Sequence, residues 1–437
     1  MFFLSEHIYT MKGEEAMFFI HVVKPGDSLY SISQNYGVSF QRLQEINGVY
    51  PGGLVPGQDI VVPSSTYIVQ PGDSLYTIAQ KAFLSVQTIR AANRLTSDVI
   101  YPGMRLYLPS HPKYSTEDLS FIYPGTPTED EQLIRSFSPI STYFAMFEYH
   151  ILPGVALSTL NDRYTIQTSR SFRVAPLATI TNLTSEGFSS ALIRQVLSNP
   201  QIRNRVVNEI VTLVTQKNYS GVTIDFERVA ETERDLFTGF LRILNQRLKD
   251  RGRYYLSVAL PAKTDDQIPW LRGYDYGGIG SVVDFTFIMA YDWHTPDSPP
   301  GPVAPIQEVR RTIEYAINQM PSNKIILGFP RYGYEWTMSN GSVQSARAVS
   351  VDMAIQLASS HQVPIQYSNE YQQPHFTFRD ENGRRHIVWY EDARARVAKL
   401  LLVPRYRLRG VGAWQLGLHF PQSGFIVSEL FDVRKVL

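Results

Sequence analysis

The stretch Ser220-Gly221-Val222-Thr223-Ile224-Asp225-Phe226-Glu227 decides how this chain is read. Its apolar, β-branched run predicts a strand, whose side chains alternate between two faces. Thr223, Asp225 and Glu227 then share one face, and Val222, Ile224 and Phe226 the other. Two carboxylates therefore project together from the C-terminal end of one strand. In a (β/α)₈ barrel, that is the end at which active sites are built.

The flanking sequence supplies the other strands. Apolar, β-rich runs occur at Leu119–Tyr123, Thr142–Tyr149, Arg173–Thr181, Val222–Phe226, Tyr254–Leu260, Val283–Ala290, Lys324–Phe329 and Gly410–Gln415. Between them lie amphipathic stretches such as Ser189–Leu197, Gln201–Lys217, Glu231–Asp250 and Ile306–Met320. Eight strands with intervening helices predict an α/β fold, a (β/α)₈ TIM barrel. An open doubly wound sheet is the alternative, but no Gly-rich phosphate loop follows any of these strands. The interval between the seventh and eighth strands is much longer than the others. From about 333 to 388 it holds Ala348–Ser360 as a helix, with His375–Arg379 and Arg385–Trp389 as alternating segments. An α+β subdomain inserted in the seventh loop is expected there.

Upstream, the chain repeats itself. His21-Val22-Val23-Lys24-Pro25-Gly26-Asp27-Ser28-Leu29-Tyr30 recurs 46 residues later as Tyr67-Ile68-Val69-Gln70-Pro71-Gly72-Asp73-Ser74-Leu75-Tyr76. The same offset carries Asn47 to Asn93, Pro56-Gly57 to Pro102-Gly103, and Pro63 to Pro109. Each unit reads as strand, Pro-Gly turn, two helices, Pro-Gly turn, strand, with Asp27 and Asp73 at the first helix N-cap. These units, over 20–63 and 66–109, resemble LysM modules. That resemblance implies a small βααβ fold that binds polymers containing N-acetylglucosamine, peptidoglycan or chitin. It maps the sugar groove to Gly26, Asp27, Ser28 and Leu29, and to Gly72, Asp73, Ser74 and Leu75. Two weak sites on one chain reinforce each other on a polymer. Ser110–Glu117 reads as a short linker before a barrel domain over 118–437, and modules with such small cores are expected to move relative to it.

Composition narrows the partners. The 437 residues carry Lys+Arg 41 against Asp+Glu 40, a formal net charge of +1, so no global field draws in nucleic acid or an anionic membrane. Aromatic residues make up 12%, which suits a sugar-stacking cleft as well as a large core. The absence of Cys excludes disulfides, thiolate zinc sites and a cysteine nucleophile. His294 has no second His at ligand spacing, so neither a metal nor a cofactor is expected. No run of 18 apolar residues predicts a membrane-spanning helix. At the N-terminus, Glu6, Glu14 and Glu15 break any signal-peptide core. Residues 1–16 read instead as an upstream extension: Lys12-Gly13-Glu14-Glu15 is what a purine-rich ribosome-binding site would encode, and Met17 follows.

The barrel resembles glycoside hydrolase family 18. The match rests on the fourth strand ending Asp225-Phe226-Glu227, the sixth ending Met289-Ala290-Tyr291-Asp292, the eighth ending Ala413-Trp414, and the inserted subdomain. The family uses substrate-assisted retaining hydrolysis, in which the substrate's own 2-acetamido oxygen attacks the anomeric carbon. The resemblance makes Glu227 the general acid and later base, and Asp225 the partner of the acetamido group. Tyr291 with Asp292 would fix that group, and Trp414 would form the sugar's floor. Met289 and Tyr149 join Thr223 as substrate-binding candidates, and Trp293, Tyr334 and Trp336 are further subsite aromatics. The usual D-G-x-D-x-D-x-E signature departs here at two acids, replaced by Ser220 and Thr223. Thr223, beneath Asp225, can donate a hydrogen bond to it but cannot take up negative charge.

The pairing of LysM units with such a barrel resembles a Bacillus-type group of spore peptidoglycan hydrolases. Tyr274-Asp275-Tyr276, Ile279-Gly280, Val283-Asp284-Phe285 and Val388-Trp389-Tyr390-Glu391-Asp392 belong to that resemblance. It implies an endo-acting N-acetylglucosaminidase that degrades spore cortex peptidoglycan or its fragments during germination, monomeric and located in the coat and cortex region. A chitinase and a catalytically silent wall-binding lectin are the alternatives.

Overall fold

The computed structural model describes residues 17–48, 53–154 and 156–437. The expected upstream extension at 1–16 lies outside the described residues.

Eight parallel strands close into a barrel. In chain order they are Tyr114–Ile122, Tyr143–His150, Ala175–Thr181, Gly221–Asp225, Tyr255–Pro261, Phe285–Met289, Ile325–Pro330 and Gly410–Trp414. The eighth pairs with the first, Gly410 opposite Glu117 and Ala413 opposite Ser120, which removes both sheet edges. The fourth strand lies between the third and fifth and is buried along its whole length. Large and small side chains alternate in the interior. Phe287 of the sixth strand fills the space that Gly412 of the eighth leaves open. A Cβ at Gly412 would sit 2.6 Å from that ring and 2.2 Å from the Leu119 carbonyl oxygen. Phe121 meets Phe287 edge-on at 5.0 Å, and this layer supports Trp414.

The first strand starts earlier than the sequence suggests. Tyr114–Glu117, expected in the linker, are strand because the C-terminal segment Phe431–Val433 pairs with Tyr114–Thr116. A partner more than 300 residues away leaves no local trace. Past the seventh strand, a five-stranded antiparallel sheet (Tyr332–Ser339, Ser342–Ser350, Gln366–Ser368, Gln373–Arg379, Arg385–Trp389) and the helix Val351–Ser360 form the inserted subdomain.

In each N-terminal module two short strands pair antiparallel, Phe18–Val22 with Asp59–Pro63 and Thr66–Ile68 with Arg105–Tyr107. The repeated Asn has a clear task. Asn47 accepts the Val61 N–H at 2.7 Å and donates to the Val61 and Leu43 carbonyls, each at 2.9 Å. It thereby ties the second helix to the second strand. Asn93 does the same with Tyr107 and Ile89. The N-caps, however, are Ser28 and Ser74, one residue later than expected; each accepts from the N–H three residues on. Asp27 and Asp73 instead close the Pro-Gly turn. They accept the N–H of Lys24 at 2.7 Å and of Gln70 at 2.8 Å.

The first module is not free to move as its small core suggested. Phe18, Ile20, Ile46 and Val61 belong to the same apolar core as the barrel, and Phe18 meets Phe425 edge-on at 6.0 Å. Its buried Asp59 forms an ion pair with Arg394 at 2.7 Å, and the Arg394 N–H donates to Asp59 at 2.9 Å. Arg394 also stacks over Tyr367 at 4.0 Å. Removing one partner of such a buried pair leaves an uncompensated charge. Arg394→Ala is therefore expected to lower stability by about 3 kcal/mol in denaturant melts and to expose the module to limited proteolysis. Unchanged midpoints would show that the apolar contacts alone hold the module.

Candidate active site

Asp225 ends the fourth strand, and Glu227 stands two residues beyond, at the barrel mouth. Neighbouring loops hold this segment by its backbone. Asn182, just past the third strand, accepts the Glu227 N–H and donates to the Glu227 carbonyl, each at 2.8 Å. The Tyr274 hydroxyl donates to the Phe226 carbonyl at 3.0 Å. Neither clamp uses the carboxylate, which keeps Glu227 available for chemistry.

Desolvation governs the charges. Asp225 is buried, and its Oδ1 has no hydrogen-bond partner among the described residues. Burial raises its carboxyl well above the usual carboxylate range, and the charges of Glu227 and Glu148 raise it further. Burial also lifts Glu227, to about 7, with Asp292 adding and Arg228 opposing. Glu148 is a carboxylate that sequence reasoning missed. It lies near the end of the second strand and accepts the Thr181 hydroxyl at 2.6 Å. Tyr123, at the end of the first strand, was missed as well. Its hydroxyl is pushed up to about 12 by burial, Glu148 and Asp225. The usable signal was position, since both stand at C-terminal ends of predicted strands.

Thr223 does not serve Asp225 as the sequence suggested. Its hydroxyl bonds sideways to Ser257 at 2.6 Å, because register sets the two residues opposite each other on the fourth and fifth strands. A neutral hydroxyl pair therefore occupies the place where the family signature has an acid. Ser220, replacing the other acid, sits at the strand's far end and accepts from Arg170 at 3.1 Å.

The sixth, seventh and eighth strands complete the mouth. Tyr291 is buried, and its hydroxyl is raised by burial first, then by Asp292, Asp225 and Glu227. Asp292 has a left-handed backbone, φ 63°, and accepts from the Tyr332 and Tyr334 hydroxyls at 2.7 and 2.9 Å. Burial raises its carboxyl, while these two donors pull it back. Trp414 packs edge-on against Phe147 at 4.7 Å, Phe121 at 5.3 Å and Tyr123 at 6.1 Å. Met289 is half-buried at the end of the sixth strand.

Other candidates lie elsewhere. Tyr149 is fully buried, bonded through its hydroxyl to Asp162 and receiving Lys217 at 2.8 Å. A bulge between Met146 and Tyr149 explains the miss, because one extra residue upsets the alternation along the second strand. Trp336 is also buried, its indole N–H donating to the Thr295 carbonyl at 3.2 Å. Trp293 is partly buried against the main core. In the modules, Gly26, Ser28, Gly72 and Ser74 are exposed, whereas Leu75 is buried. Leu29 is half-buried. Asp27 and Asp73 are half-buried and bonded within their own turns.

A closed parallel barrel with carboxylates, tyrosines and a tryptophan gathered at its C-terminal mouth defines a glycoside hydrolase of the TIM-barrel class. The model for glycosyl hydrolases family 18 matches residues 177–418, and the LysM domain model matches 21–63 and 67–109. YdhD of Bacillus subtilis is 50% identical over 96% of this chain and 100% of its own length. The cortical fragment-lytic enzyme of Bacillus subtilis is 42% identical over 95% of this chain and 99% of its own. The crystal structure of the Bacillus cereus spore cortex-lytic enzyme SleL superposes with a TM-score of 0.86 at 33% identity, covering 96% of this chain and 99% of that one. This chain belongs to glycosyl hydrolases family 18, with two LysM domains ahead of its barrel.

The raised carboxyl of Glu227 has a stability consequence. Folding favours its neutral form, so its contribution is whole below the unfolded carboxyl's pKa, near pH 4, and is lost as pH rises through about 7. Glu227→Gln cannot ionise. It is expected to exceed the parent in stability at pH 8–9 by on the order of 2 kcal/mol, with the gap closing toward pH 4. Thermal unfolding across pH measures this, and no gap at alkaline pH would mean that the carboxylate stays solvated.

Proposed function

We propose that this chain is a retaining, substrate-assisted β-N-acetylglucosaminidase that hydrolyses N-acetylglucosamine linkages in spore cortex peptidoglycan or its fragments during germination. The observation that carries the reading is Asp225, buried with a carboxylate oxygen lacking a hydrogen-bond partner among the described residues, beside a Glu227 titrating near neutrality. A 2-acetamido N–H is a donor of the kind that Asp225 lacks, and accepting it favours the ionised carboxylate.

The steps follow. Glu227 gives its proton to the glycosidic oxygen as the acetamido carbonyl oxygen attacks the anomeric carbon. The bond to the leaving sugar breaks and an oxazolinium ion forms. Asp225 accepts the acetamido N–H, and Tyr291 orients the group from the other side. The negative field of Asp225, Glu148 and Asp292 favours the developing cation. Glu227, now a base, takes a proton from water as it opens the oxazolinium, and the anomeric configuration is retained. Trp414 supplies the apolar floor. The names of the cortex-lytic relatives support the cortex as substrate and the spore as location, and the LysM pair supports a peptidoglycan partner.

The test is product analysis by mass spectrometry, with cortex fragments and chitin oligomers as substrates. Cortex cleavage leaving reducing-end N-acetylglucosamine is expected. Glu227→Gln is expected to lose about 10³-fold in rate while still binding. The parent's kcat/KM is expected to fall as pH rises through about 7, since the acid must arrive protonated. Cleavage of chitin oligomers alone would instead favour a chitinase, and full activity in the variant would overturn the acid assignment.

A further inference from the structure

The two modules share a sequence pattern but not a surface. At the 46-residue offset, Val55-Pro56-Gly57 of the first corresponds to Tyr101-Pro102-Gly103 of the second. This loop precedes the second strand, and the LysM resemblance sets the sugar groove between it and the loop after the first strand.

In the first module the loop is already occupied. Val55 is 4% exposed and packs into the inserted subdomain with Val349, Ile355, Ile365 and Phe378. The Pro56 carbonyl accepts the Ile365 N–H at 2.9 Å, and the Gly57 carbonyl accepts from Arg394 at 3.3 Å. A Cβ on Gly57 would fall 1.9 Å from the Ile365 carbonyl oxygen, so the contact requires glycine. In the second module the same loop is open. Tyr101 is 68% exposed, and Pro102 and Gly103 are exposed with it. The replacements extend along the face: Phe18, Ile20, Ile46 and Val61, buried on the barrel side, become Ser64, Thr66, Ala92 and Tyr107.

We infer that the modules divide the labour. The first, whose Phe19 packs edge-on against Tyr67 of the second at 4.9 Å in a core common to both modules, is a bracket that fixes the pair to the catalytic domain, its loop sealed by the inserted subdomain. Binding of an N-acetylglucosamine-containing glycan is confined to the second, where Tyr101 adds a stacking face that the first lacks. This rests on the reading that the modules bind such glycans at all.

The test uses the full chain carrying Glu227→Gln, so that the glycan is not consumed, with the N-acetylglucosamine hexamer as probe. Hydrogen exchange is expected to show protection over 70–76 and 96–104 and none over 24–30. Co-sedimentation with purified peptidoglycan is expected to weaken about tenfold with Tyr101→Ala and to stay within about twofold with Tyr30→Ala, whose ring is also 63% exposed. Protection over 24–30, or an equal loss with Tyr30→Ala, would overturn the inference while leaving glycan binding intact. Protection in neither module, with both variants sedimenting like the parent, would reject the underlying reading and the inference with it.

Discussion

Everything at the barrel mouth answers to one constraint: a buried Asp225 and a half-buried Glu227 stand two residues apart. Even after relaxation, moving an ionised carboxylate out of water costs several kcal/mol, and a second negative charge nearby adds to that. The fold answers by holding backbone rather than charge. Asn182 grips Glu227 by its peptide groups, and Tyr274 grips Phe226. The fourth strand is then rigid enough to keep two poorly solvated acids in place. The neutral Thr223–Ser257 pair below them adds no further charge to the cost of ionising Asp225.

Much of this was legible in the sequence because barrel strands are local. Eight apolar runs fell on the eight strands, and Asp225 closes the fourth, which is regular and buried on both faces, with Glu227 two residues beyond its end. The failures were non-local. Tyr149, named as a substrate-binding candidate at the end of the second strand, is buried past a bulge instead. Tyr114–Glu117 read as linker because their partner strand is the chain's last. Glu148 and Tyr123 stand at ends of predicted strands, but what singles them out from other strand-end residues is their proximity to Asp225.

The segments that carried the resemblance to spore peptidoglycan hydrolases mostly serve architecture. Asp275 caps the helix Tyr276–Val282, and Asp284 accepts the Leu256 N–H at 2.7 Å and pairs with Lys249. Glu391 forms a buried pair with Lys399 at 2.9 Å, and Asp392 caps the helix Ala393–Leu400. That helix carries Arg394 at its start, so the motif orients the residue that receives the first module. A pattern that looks like a signature of activity is, in this stretch, a signature of how two domains are joined.

That joint changes how a polymer would be met. A flexible tether gives a second site an effective concentration averaged over many separations, falling gradually as the span grows. Here the first module shares a core and a buried ion pair with the barrel, and the second shares a core with the first, so the binding loop of the second is offered at one separation and one orientation. Reinforcement between distant contacts on a strand then becomes all or none, set by whether the strand's length and curvature match the fixed span. The chain would sort glycans by shape before any bond is broken, much as a calliper gauges an object by its own opening.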